Sequence, residues 1–194
     1  MKVELTMYTP EIEISNSAKV CYGNNSSKDI TSSLVHQHKH LAVLRFAYAT
    51  VHISGISIAC HTQIVRSKHL DFLVQSKRYV SNKKGNFKFI MPKRLTTNQQ
   101  KCMKIHWDNS ISIYNKLITD GVKPEDARAV LPVNTSTEMY VTGSLQGWMS
   151  FFKLRLDSHA QTEVREVAVE VYKQLQQVFP QVFINKLFEK LYNQ

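Results

Sequence analysis

An α+β fold is predicted, helix-rich, with a central antiparallel or mixed sheet. Apolar stripes of helical period fill much of the second half of the chain, and short β-branched and aromatic runs stand between the helical segments. The chain has 194 residues, of which 43% are hydrophobic and 21% charged, so one domain over 1–194 with a core of ordinary size is expected.

The elements follow in order. VELTMY alternates polar and apolar residues and reads as a first strand. Asn24 to Ser33 is rich in small polar residues and predicts a turn, before a helix from Lys28 to about Lys39. Phe46 to Ile53 (FAYATVHI) has strand composition, with Gly55 marking its end. Ile56, Ala59, Cys60, Gln63 and Ile64 share one helical face, so a helix carries Gln63 and delivers Arg66 near its end. Asp71 to Leu95 shows no sustained helical period and contains the Lys83-Lys84-Gly85-Asn86 turn signal and Pro92. It predicts a long basic loop with a short strand at most.

A helix is expected from Thr97 to Asp120, stopped by Gly121. PEDARAVL opens with Pro124 and places acids beside a helix N-terminus, so it predicts a short helix. A strand from Glu138 to Thr142 should lead into a helix from Ser144 to Leu156. The last long helix puts Val164, Ala168, Val171, Tyr172, Leu175 and Val178 on one face, and Pro180 ends it.

Charge and cysteine usage narrow the function. The formal charge is +10, and between Arg66 and Arg94 nine basic residues face one acid, Asp71, so most of the excess sits in one segment and an anionic partner is expected. Cys21, Cys60 and Cys102 are an odd, widely spaced set without a CxxC pair. That excludes a disulfide framework or structural zinc site and suits a reducing compartment. Acids in the opening MKVELTMYTPEIEIS and the absence of any long apolar window lead to a cytoplasmic expectation with no membrane partner.

Three constellations could carry chemistry. His36-x-His38-x-His40 alternates across helix faces without a completing acid or cysteine, so no metal site is expected there. The basic segment admits three readings. It is a solvated loop, or a nucleic-acid surface with Tyr79, Phe87 and Phe89 as stacking residues, or a phosphate clamp. The clamp fits the spacing best: Arg66, Lys68, Lys77 and Arg78 sit beside Ser76, and the short helix adds Arg128. Arg155, inside SFFKLRLDSHAQ, is a cation in apolar company; it is either neutralised by Asp157 or Glu163 or kept for an anionic partner.

These segments together resemble a family. HISGISIACHTQIVRSKHLDFLVQSKRYV is similar to the signature region of the flavin-dependent thymidylate synthases, in which a Gln precedes an R-H-R triplet and Ser-x-Arg-Tyr closes the motif. GVKPEDARAVLP and LRLDSHAQTEVRE resemble that family's two C-terminal signatures, in order and at the right distance. HLAVLRFAYATVHISG resembles its H-x-S-x-x-E-H-A lead-in, and SAKVCY its early A-R-V-S-F element, so the matches run from about Ser17 to Phe183.

The resemblance implies that family's α+β fold in a homotetramer with shared active sites. It also implies conversion of dUMP into dTMP with FAD, NADPH and methylenetetrahydrofolate, without a cysteine nucleophile. It places nucleotide binding on Gln63, Arg66, Ser76, Lys77, Arg78, Arg128 and Arg155, with Arg155 acting on the base as the catalytic cation. The cofactor-side positions are Arg66, Ser67, Lys68, Val74, Ser144, Gln146 and Ser150.

Departures cluster on that cofactor side. The triplet reads Arg66-Ser67-Lys68, which loses an imidazole and one guanidinium. Ala42 and Arg45 replace the lead-in Ser and Glu, Val74 replaces a Glu, and the N-A-R-x-x-x-N element reads Ser144-Leu145-Gln146 with Ser150. Three readings follow: a divergent thymidylate synthase, a related enzyme methylating or hydroxymethylating another pyrimidine nucleotide such as dCMP, and a nucleotide-binding module without flavin chemistry. Nucleic acid is the least expected partner.

Overall fold

Strict alternation of buried and open positions builds the sheet. In the computed structural model, which describes residues 1–21, 23, 27–82 and 85–193, Ala49, Val51 and Ile53 of β2 (Tyr48–Ser57) point inward with Met139, Val141 and Gly143 of β4 (Ser136–Ser144). Intervening Thr50, His52, Glu138 and Tyr140 lie on the other face, as a two-residue period requires. β1 (Lys2–Tyr8) flanks β2 and β3 (Asp71–Val74) flanks β4, giving a four-stranded antiparallel sheet ordered β1-β2-β4-β3. Val51 opposite Val141 fixes the central register. Gly55 does not end its strand, contrary to expectation. It takes a φ of +67° at a bulge between Ser54 and Ile56, a conformation glycine adopts without strain, and pairing resumes to Ser57.

Helices cover the inner face. α5 (Leu145–Arg155) follows β4 directly, with the Ser144 hydroxyl accepting from Gly147 N at 3.3 Å as its cap. Trp148, Phe151 and Phe152 of α5 meet the Val164, Val167, Ala168, Val171, Tyr172 and Leu175 stripe of α6 (Thr162–Val178). The indole of Trp148 donates to Ala49 O at 3.1 Å, so the largest core side chain is satisfied where it is buried. Phe179, Val182 and Phe183 extend the core beyond α6.

Two helices were not foreseen, α1 (Ile12–Cys21) and the terminal α7 (Asn185–Tyr192). α1 fully buries few apolar residues, Ile14 and Ala18 among them, so its periodicity is faint. The helix expected over 28–39 shortens to one π-type turn at Ser33–Gln37, and Leu41–Phe46 forms a 3-10 helix where none was expected. Residues 24–26 of the expected turn, and Lys83 and Lys84 of the later one, lie outside the described residues.

The basic segment makes its own small core. α3 (Thr97–Thr119) ends before Gly121, as its sequence predicts, and starts from a Thr96/Gln99 capping box that the sequence reading did not identify. Its Trp107 and Tyr114 pack with Phe87 and Ala127, where α4 (Pro124–Ala127) passes into a 3-10 turn at Arg128–Val130. Phe87 rests edge-on to Tyr114 at 5.6 Å and Phe89 against Trp107 at 5.5 Å, so these two rings are structural rather than open stacking surfaces. Among the described residues, no helix is long and apolar enough to cross a membrane.

Candidate active site

α2 (Ile58–Ile64) delivers the first site residues. Its cap is Ser57, whose hydroxyl accepts from Cys60 N at 2.9 Å while both its N–H and hydroxyl donate to Glu163 at 2.7 and 2.6 Å. The starts of α2 and α6 are thereby locked together. Gln63 then offers its carbonyl to Arg155 Nη2 at 2.6 Å, which brings the end of α5 to the end of α2.

Among the described residues no acid is paired with Arg155. Asp157 is engaged by His159 at 2.9 Å and Glu163 by Ser57, and Arg155 Nε is buried with no hydrogen-bond partner. Burial, and then the nearby Arg66 guanidinium, lower its pKa from the ordinary arginine value. A half-buried guanidinium with an unpartnered Nε and no paired carboxylate among the described residues leaves a local demand for an anion. Cys60, beside Arg155, is buried, and burial with the Glu163 carboxylate raises its thiol far above the usual range; it is not a nucleophile.

A second group lines a cavity of about 340 Å³: His61, Val74, Ser76, Lys77, Arg128 and Thr137. Lys77 is 7% exposed, its ammonium 2.5 Å from Gln75 Oε1 and 4.4 Å above the Phe87 ring centre. Gln75 in turn donates to Glu138 at 2.7 Å. Burial pushes Lys77 down to about 8, with Glu138 opposing the shift. Burial also lowers His61, whose Nδ1 has no partner. Arg78 pairs with Glu125 at 2.9 Å, and Arg128 Nε donates to the carbonyl of the same Glu125 at 3.0 Å, so one residue of α4 aligns both guanidiniums.

A third cleft, about 390 Å³, is lined by Arg45, Lys68, His69, Ser144, Gln146 and Ser150, with Asp71 and Tyr48 at the end of the sheet. Two glycines let its walls meet. A Cβ on Gly147 would stand 2.3 Å from His69 O, and one on Gly143 2.5 Å from a Leu70 methyl, so the turn carrying Lys68 and His69 lies directly on the start of α5. Arg45 Nε donates to Gln146 Oε1 across the cleft. Ser67 is turned inward, 5% exposed, with its hydroxyl unpartnered.

The structure therefore brings Ser76, Lys77 and Arg128 together, joins Gln63, Arg66 and Arg155 in another cluster, and gathers Lys68, Ser144, Gln146 and Ser150 in a third. Val74, placed by resemblance on the cofactor side, lines the cavity with Ser76 and Lys77. Gln75, Glu138, His61 and His69 escaped sequence reasoning because only tertiary contact, not spacing, brings them to these sites. The third cleft fits a flavin's phosphate groups: it joins a guanidinium, an ammonium and three hydroxyls to one carboxylate.

A family model described as thymidylate synthase complementing protein matches residues 4–181. The chain is 32% identical over 198 residues to a flavin-dependent thymidylate synthase of Geobacter sulfurreducens, covering 94% of this chain and 85% of that one. It is 32% identical to one of Mycobacterium marinum over 74% of this chain and 64% of the relative. A Pyrococcus furiosus relative of the same name is 34% identical, over 70% and 57%. The chain thus spans less than two thirds of several relatives it matches.

Proposed function

The chain belongs to the flavin-dependent thymidylate synthases, and on that premise we propose that it methylates dUMP to dTMP, with FAD in the Arg45–Lys68 cleft and methylenetetrahydrofolate and NADPH as co-substrates. The observation that carries this reading is Arg155, half-buried, donating to the Gln63 carbonyl at 2.6 Å, its Nε unpartnered and no carboxylate paired with it among the described residues. In this reading Arg66, Arg78 and Arg128 hold the phosphate and sugar, the Lys77 ammonium adds a further contact to the phosphate, and Gln63 and Ser76 orient the nucleotide. Arg155 stabilises negative charge developing on the pyrimidine. Bound flavin supplies the hydride chemistry. The assembly is a homotetramer with sites shared between subunits, and the compartment is cytoplasmic.

Val74 favours a second reading. It gives the cavity an apolar wall where the family pattern has a carboxylate, which suits another pyrimidine nucleotide such as dCMP, methylated or hydroxymethylated. The test is a visible absorption spectrum after incubation with FAD and desalting, repeated with dUMP and with dCMP. Flavin bands perturbed by dUMP are expected; perturbation by dCMP alone supports the second reading. A colourless protein that binds either nucleotide would overturn the flavoenzyme.

A further inference from the structure

Position 45 and position 146 lie 101 residues apart in sequence and touch in space. The family pattern has a carboxylate at the first and a guanidinium at the second; this chain has Arg45 and Gln146. A second guanidinium of the pattern is also missing, since the triplet ends in Lys68, a point charge without a planar fork. Read singly, the changes at 146 and 68 weaken an anion site and the change at 45 strengthens one.

The contact changes their meaning. Arg45 comes from the 3-10 helix Leu41–Phe46 ahead of β2, and Gln146 from the first turn of α5, yet both line the same cleft. Arg45 Nε is spent on Gln146 Oε1, which leaves the terminal Nη groups of an exposed side chain for a ligand. The amide thus orients the fork that the other wall now supplies. Ser150 donates to Gln146 O at 3.1 Å and Ser144 caps Gly147 N, so the wall behind the amide is fixed by its own hydrogen bonds.

We infer that Arg45, oriented by Gln146, is the guanidinium that holds a phosphate group of the flavin cofactor in this chain, the cation having crossed from α5 to the segment before β2. The inference rests on the proposed flavin reading and specifies which of this chain's own residues serve it. A bidentate fork suits a diphosphate or monophosphate oxygen pair, and the neighbouring Lys68 adds charge without direction.

The experiment is equilibrium dialysis of the full chain against FAD and against riboflavin, which has no phosphate. Wild type is compared with Arg45→Ala, Arg45→Lys and the exchanged pair Arg45→Glu/Gln146→Arg, with circular dichroism confirming that each variant is folded. Expected are a loss of FAD affinity of about tenfold or more in Arg45→Ala, partial retention in Arg45→Lys, recovery in the exchanged pair, and riboflavin binding equal throughout. Equal FAD affinity in wild type and Arg45→Ala would overturn the assignment while leaving the flavin reading intact. An equal loss for riboflavin and FAD would overturn the phosphate contact. A wild type that binds neither flavin sinks the flavin reading itself.

Discussion

At the scale of single residues, the site is governed by cations that have been denied their usual partners. Arg155 keeps its charge beside Arg66, and turnover should depend on it: Arg155→Ala is expected to abolish dTMP formation while the circular dichroism spectrum is unchanged. Wild-type rates in that variant would remove its role. Lys77 is the more unusual case. Its folded pKa of about 8 lies below the free-lysine value of 10.5, so the folded state binds this proton less readily than the unfolded one. Stability therefore rises as pH increases from about 8 towards 10.5. Nucleotide affinity runs the other way, because a phosphate needs the ammonium. Glu138 through Gln75, Arg128 and His61, whose pKa burial lowers, face this lysine. Calorimetric dUMP affinity should begin to fall above about pH 8 in wild type and stay flat, at a lower level, in Lys77→Met. A wild-type affinity constant through pH 9 would contradict it.

Arg155 was legible in the sequence because a charge among Phe151, Phe152 and Leu156 is conspicuous. The lowered Lys77 was not, since its cause is the Phe87 ring and a buried pocket assembled from β3, β4 and the following loop. The alignment of Arg78 and Arg128 by Glu125 was not legible either, because it is a tertiary contact.

At the scale of elements, the close approach at the start of α5 decides the geometry of the third cleft. Gly147→Ala would force its new methyl to 2.3 Å from His69 O, a backbone atom that cannot swing aside. The turn must lift from the helix, at a cost of about 1–3 kcal/mol, read as a lower urea midpoint, and FAD affinity should fall because Lys68 and His69 move with it. Unchanged midpoint and flavin binding would show that the contact is dispensable. α3, with its Gly121 stop, and β4, with its alternating Met139 and Val141, were readable in advance. α1 and α7 were not: the first buries too few apolar residues to print a clear period, and the second is a short segment beyond a proline. Gly55 misled because a strand glycine marks a bulge as readily as an end.

For the molecule as a whole, the α+β class and a central sheet were legible because β-branched runs and helical stripes occupy separate segments, while its fully antiparallel pairing was not. The partition of the apolar residues into two clusters was not. Phe87 and Phe89 read as free aromatics until α3 was seen to cover them, and the basic segment acquires its shape from that second cluster. One core therefore holds the sheet against α5 and α6, and another holds the loop that carries Ser76, Lys77 and Arg78 in place.

The strand order has a kinetic meaning. β2 and β4 are adjacent in the sheet but enclose the whole stretch 58–135, so their pairing must close a loop of about 80 residues before its contacts repay the entropy. All of Gln63, Arg66, Lys68, Ser76, Lys77, Arg78 and Arg128 lie within or beside that stretch. On the ribosome, then, the residues proposed to hold the phosphate are synthesised well before the strand that fixes them, while Arg155 follows that strand, and the cavity of Ser76, Lys77 and Arg128 is not assembled until β4 has emerged and joined the sheet.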